Sequence, residues 1–179
     1  NRSIQTLSLK MNQVRGQGFA CIAESLECNS LLSLDMSSNQ PSAKEIEILA
    51  NFIRRSSGLQ HLDLSATFLD QQSVELLADA LRGSTTLLKL DLIYSRVGSH
   101  AIQLVQALKF NRTLKYLDLT SNTIGDKEIM EMAQNFVIDE PHADYSRDLE
   151  IQLKGNEASQ ETIADIGRMN CWRHLLFAQ

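Results

Sequence analysis

Two hydrophobic periods alternate along this chain. Leu114, Leu117 and Leu119, with Asn122, stand at positions 1, 4, 6 and 9 of the pattern L-x-x-L-x-L-x-x-N. The same phrase starts at Ile4, Leu31, Leu59 and Leu87, so successive starts lie 27, 28, 28 and 27 residues apart. Apolar residues two apart within each phrase signal a short strand. Between phrases the period changes to i, i+3, i+4, i+7, the mark of an amphipathic helix. Phe19, Ile22, Ala23 and Leu26 follow it, as do Ile46, Leu49, Ala50 and Ile53. Val74, Leu77, Ala78 and Leu81 repeat it, and Ile129, Met132, Ala133 and Phe136 repeat it again. Ser42 with Glu45 forms a capping-box signature, and Asp70 takes the equivalent N-cap place one repeat later. Each unit is expected to be a strand, a turn and a helix of about three turns.

The pattern weakens toward the end. Ile151, Leu153 and Asn156 supply positions 4, 6 and 9 of a sixth strand, with Asp148 at position 1, and the extra length falls in 138–145. A last helix is expected around Ile163, Ile166 and Met169. Trp172, Leu175 and Phe177 fit positions 1, 4 and 6 of a degenerate seventh strand. The lead-in Asn1-Arg2-Ser3-Ile4 nearly duplicates Asn111-Arg112-Thr113-Leu114, which follows a helix. We therefore expect a helix before Asn1, and residues 1–179 to be one repeat domain of a longer chain.

A unit of this size cannot bury its own leucines, so neighbouring units must complete the core. Parallel strands stack about 4.8 Å apart, whereas packed helices need about 8–10 Å. Strands must therefore line the inside of an arc and helices the outside. The phrase, its spacing and the full helix resemble the ribonuclease-inhibitor type of leucine-rich repeat. That group includes the repeat domains of NOD-like receptors, tropomodulin, actin regulators of the CARMIL type and the Ran GTPase-activating protein. The resemblance implies an α/β leucine-rich-repeat solenoid, a horseshoe with a concave parallel sheet and convex helices. A fold of this kind hosts many functions.

Composition narrows the function. Apolar residues make up 43% of the chain and charged residues 22%, as in a well-cored globular protein. No apolar run is long enough for a membrane span, and a net charge of −5 argues against nucleic acid. Cys21, Cys28 and Cys171 form no disulfide framework, which points to a reducing, cytoplasmic setting. Asn1-Arg2-Ser3 and Asn111-Arg112-Thr113 match the glycosylation pattern and are read as chance. His61, His100, His142 and His174 stand in separate repeats with no nucleophile at usable spacing, and there is no phosphate loop or metal pattern. An enzyme is not expected, nor is any cofactor.

Candidate binding residues lie on the concave face. Position 5 carries Asp35, Asp63, Asp91 and Asp118, a column of carboxylates about 5 Å apart on in-register strands. Such a column favours a protein partner with a basic surface, although aspartate there also suits a turn. Positions 3, 7 and 8 are mostly small, but Ile93, Tyr94 and Tyr116 cluster near His61 and Lys89. Aromatic anchors among small polar residues resemble a binding hot spot. The asparagines at position 9 (Asn12, Asn39, Asn122 and Asn156) are read as a structural ladder, with Thr67 and Ser95 as hydroxyl substitutes. The sequence thus favours a protein-interaction scaffold. One alternative is the sensor or autoinhibitory arm of a larger receptor. The resemblance also leaves open a GTPase activator using Arg15 or Arg96 from a strand-to-helix loop, and a structural role in a cytoskeletal or ciliary assembly.

Overall fold

In the computed structural model, residues 3–25, 30–137, 148–169 and 175–177 are described. The insertion 138–145, Cys28, Cys171 and Trp172 lie outside them. Strands β1 (Thr6–Ser8), β2 (Ser33–Asp35), β3 (His61–Asp63), β4 (Lys89–Asp91), β5 (Tyr116–Asp118), β6 (Glu150–Gln152) and β7 (Leu175–Leu176) form one parallel sheet in chain order. Helices α1 (Gly16–Ser25), α2 (Ala43–Arg55), α3 (Gln71–Gly83), α4 (Ala101–Ala107), α5 (Asp126–Val137) and α6 (Gln160–Arg168) alternate with the strands. The architecture is the solenoid read from the repeat phrase, with the sheet inside the arc and the helices outside.

The core is the set of positions 1, 4 and 6 facing the helical stripe. Leu59, Leu62 and Leu64 of the third repeat pack with Val74, Leu77, Ala78 and Leu81 of α3, all 3% exposed or less. Every pairing aligns position 4 with position 4: Leu7, Leu34, Leu62, Leu90, Leu117, Ile151 and Leu175 form one row. Register is fixed because a one-residue slip would turn this row out of the core.

Helix starts follow their caps. The Asp70 carboxylate accepts from Ser73 N–H at 2.8 Å, Ser159 Oγ accepts from Thr162 N–H at 3.1 Å, and Glu45 reaches back to Ser42 N–H. The fourth repeat departs from the expected three turns. Gly98 replaces the capping residue, a 3-10 turn Gly98–His100 precedes α4, and α4 itself has only 7 residues.

Two further corrections fall at the degraded end. Asp148 is exposed and Leu149 is buried, so the position-1 slot of the sixth repeat is filled one residue late. In α6 the buried face is Thr162 and Ile166, with Ile163 half-buried and Met169 already the C-cap. The seventh strand forms, with Leu175 buried and Phe177 packed against the core.

Candidate functional site

Positions 3 and 5 of each strand point away from the leucine row, because successive side chains alternate across a strand. In-register pairing turns these positions into two columns on the concave face. Position 3 reads Thr6, Ser33, His61, Lys89, Tyr116 and Glu150 along the sheet; position 5 reads Ser8, Asp35, Asp63, Asp91, Asp118 and Gln152. The four aspartates are neighbours, as their spacing predicts.

Three of these carboxylates hold the turn that follows their own strand. Asp35 accepts from Ser37 N–H at 2.9 Å, Asp63 from Ser65 N–H at 2.8 Å, and Asp118 from Thr120 N–H at 2.9 Å. Each bond spans two residues, the Asx-turn arrangement that gives a strand end a local acceptor. Asp35 also accepts from the Ser37 and Ser8 hydroxyls. Burial disfavours its charge, but hydrogen bonds from the Ser37 side chain, the Ser37 backbone and Ser8 outweigh that and hold the carboxyl below its ordinary value.

Asp91 breaks the pattern. Ile93 N–H turns instead to Ser65 Oγ at 3.3 Å, and Asp91 pairs with Lys89 Nζ at 2.9 Å. The ammonium also lies 5.1 Å from the Tyr116 ring centroid, and the Tyr116 hydroxyl donates to Asp118 Oδ2 at 3.2 Å. Lys89 thus neutralises the middle of the column and ties two strands together. Burial raises Asp91 above its ordinary carboxyl range, and the Lys89 contacts only partly counter it. Burial and the Asp118 charge push Tyr116 up to about 12, so its phenol stays a proton donor across the physiological range.

The expected aromatic cluster divides. Tyr116 belongs to this sheet network and is half-buried, as are Ile93 and Lys89; His61 is exposed. Tyr94 lies in the turn beyond β4, at the rim, with a left-handed backbone (φ 54) and 63% exposure. Position 8 is therefore a rim position in every described repeat: Met11, Ser38, Ala66, Tyr94, Ser121 and Gly155 all have positive φ. Sequence reasoning missed Phe68, which is 48% exposed with the Arg96 guanidinium 4.5 Å over its ring. The signal was there, an aromatic at a turn position otherwise held by polar residues. Their adjacency required the register.

The asparagine ladder is present. Asn39, Asn122 and Asn156 each bridge to the preceding repeat, donating to Leu9, Leu92 and Leu119 carbonyls at 2.7–2.9 Å. Thr67 and Ser95 keep part of the network, Ser95 across repeats and Thr67 within its own. Thr67 Oγ1 donates to Leu64 O at 2.6 Å, and Ser95 Oγ donates to the same carbonyl at 2.9 Å. A second, outer set of bonds was not foreseen. Asn111, 1% exposed, donates to Leu81 O and Ser84 O and accepts from Thr113 and Leu114 N–H.

Of the loop arginines, Arg15 bonds the Gln40 side chain and Arg96 rests on Phe68. Among the described residues no cluster of three metal-ligating side chains occurs. No helix there is long and apolar enough to cross a membrane.

Comparison with known proteins agrees with the architecture. A family model described as "Leucine Rich repeat" matches residues 110–132. No curated protein matches the sequence. Among solved structures, "Leiomodin-1 Actin-Binding Site 2 (ABS2)" superposes with a TM-score of 0.65 at 14% identity, covering 87% of this chain and 87% of that one. At that identity the likeness concerns the fold. The repeat phrase, the in-register sheet and both comparisons converge on one architecture: the chain has a leucine-rich-repeat fold, with residues 110–132 matching the repeat model itself.

Proposed function

We propose that this protein is a non-catalytic interaction scaffold whose partner, another protein, docks on the concave face of the sheet. The observation that carries the reading is the pair of continuous side-chain columns at positions 3 and 5. They are held in register by seven parallel strands, with His61, Lys89 and Tyr116 at their centre. A surface fixed in advance by a leucine core loses little ordering entropy on association. Asp35 and Asp63, half-exposed on the N-terminal side of the Lys89 pair, select a basic patch on the partner. Tyr116 and Ile93 supply the apolar contact and Tyr94 extends it to the rim. The solved neighbour's title names an actin-binding site, which supports a protein as the ligand class and makes actin the first partner to assay.

Catalysis by a loop arginine fits less well. Arg15 is engaged with Gln40, and Arg96 lies over the Phe68 ring of the neighbouring repeat rather than extending from its loop.

The test is affinity capture with the wild-type chain and a His61→Ala/Tyr116→Ala double variant, read by mass spectrometry with actin quantified first. Partners captured by the wild type and lost by a variant that still folds support the concave site. Equal recovery from both overturns it.

A further inference from the structure

The turn after each strand passes through left-handed backbone, which favours Gly, Asn and small polar residues because Cβ crowds the following carbonyl. Ser38, Ala66, Ser121 and Gly155 comply at the first such position, whereas Met11 there, and Gln13 and Thr123 at the second, are larger or branched. The third and fourth repeats instead place Phe68 (φ 53), Tyr94 (φ 54) and Arg96 (φ 57) there. Bulky residues in this region are steric outliers. Burial does not compensate them, since Phe68 is 48% exposed, Tyr94 63% exposed and Arg96 exposed. Three of the five large exposed hydrophobics in the described residues (Met11, Phe68 and Tyr94, the others being Ile4 and Phe110) sit on these turns. Fold stability gives no reason for them.

The state of Arg96 is a second, independent observation. Arg82 and Arg168 pair with Asp79 and Asp165 one turn away on their helices. Arg96 makes no salt bridge and no side-chain hydrogen bond among the described residues, and its guanidinium lies 4.5 Å from the Phe68 ring centroid. The guanidinium lies over the ring while Arg96 as a whole is exposed, so its N–H groups remain accessible. The nearest capping carboxylate in sequence, Asp70, is committed to Ser73 N–H. A guanidinium is a planar two-pronged donor that matches a carboxylate.

We propose that this rim, formed by Phe68, Tyr94 and Arg96, is a docking surface for an acidic peptide segment of a partner protein. One carboxylate of the segment meets the Arg96 fork, and an adjacent apolar side chain lies against Phe68 and Tyr94. The sign of the charge separates this surface from the concave face, whose aspartate column selects basic groups. The two surfaces share only Tyr94, so variants at Phe68 and Arg96 test this one apart.

The experiment uses the full chain and two fluorescein-labelled peptides, one of alternating Glu and Leu, the other with Lys in place of Glu. Anisotropy gives affinity, and amide chemical shifts locate the contact. The acidic peptide binds, shifting the Phe68, Tyr94 and Arg96 amides. Phe68→Asn and Arg96→Asn each weaken it by about tenfold, and His61→Ala/Tyr116→Ala leaves it unchanged. Asn tolerates left-handed backbone, so both rim variants keep the fold, and unchanged thermal melting verifies this. No binding of the acidic peptide, equal or tighter binding of the Lys peptide, undiminished affinity in both rim variants, or shifts confined to β4 and β5 would each overturn the proposal.

Discussion

The side-chain amide of Asn122 crosses into the preceding repeat and donates to the Leu92 carbonyl at 2.7 Å, while its oxygen accepts from Ser95 and Val97 N–H at 3.0 and 3.2 Å. One fully buried side chain thus satisfies three backbone groups of the neighbouring unit. Each buried group left unpaired costs about 1–3 kcal/mol. Asn122→Ala is expected to lower unfolding free energy by about 3 kcal/mol or more, measured by denaturant titration. Asn12, exposed and among the described residues bonded only to Lys10 O, is the control: Asn12→Ala changes stability by less than about 0.5 kcal/mol. Equal losses at the two positions would refute the cross-repeat account.

The absence of asparagine from the third repeat has a local cause. A ladder asparagine accepts from the backbone N–H two residues past the ladder position of the preceding repeat, as Asn39 does from Val14 and Asn122 from Val97. In the second repeat that place is Pro41, which has no N–H. Thr67→Asn alone should therefore not stabilise the protein. Combined with Pro41→Val, it should show a favourable coupling of about 0.5–2 kcal/mol in a double-mutant cycle. Strict additivity would mean the proline is irrelevant to the substitution.

The Lys89–Asp91 pair gives a pH dependence of known sign. Burial raises the Asp91 carboxyl above its ordinary 3.8, so the folded state holds that proton more tightly than the unfolded chain. Folding therefore loses stability as pH rises from 3.8 through the raised value, and regains it on acidification. Asp35 and Asp70 run the other way. Their carboxyls are lowered from 3.8, so their stabilisation is complete above that pH and is lost as pH falls below it. Asp91→Asn removes only the first effect. The stability of the variant relative to wild type should grow as pH rises from about 4 toward 7, read from unfolding curves at several pH values. The opposite slope would show that the Lys89 attraction outweighs burial.

Asn111 lies in an Asn-x-Thr pattern yet is 1% exposed, with its amide bonded across to Leu81 and Ser84 carbonyls. A glycan there is incompatible with the folded repeat. Expressed through a secretory pathway, the folded protein should carry no modification at Asn111 by intact-mass measurement. Asn111→Ala should destabilise by about 2–4 kcal/mol, because it strands several buried backbone groups.

The repeat phase, the seven strands and the helical faces were legible because each rests on spacing within one unit. Leu62, Leu64, Leu77 and Leu81 declare their burial by period alone. The aspartate column was also legible, since equal positions in successive repeats must align. Its chemistry was not. That Asp91 is taken by Lys89, while Asp35, Asp63 and Asp118 hold turns, depends on whether Ile93 N–H chooses Asp91 or Ser65. Leu149 escaped because it stands one residue off the template, although β6 itself keeps the register of the other strands.

By itself the sequence determined the unit and its stacking: 27- or 28-residue spacing, a strand period of two and a helix period of 3.6 leave only one way to bury the leucines. Only the tertiary structure decided how the surface divides. Tyr94 went to the rim and Tyr116 to the sheet because the backbone turns left-handed just beyond the strand. Phe68 met Arg96, 28 positions away, because parallel register sets side by side residues that the chain keeps a full repeat apart.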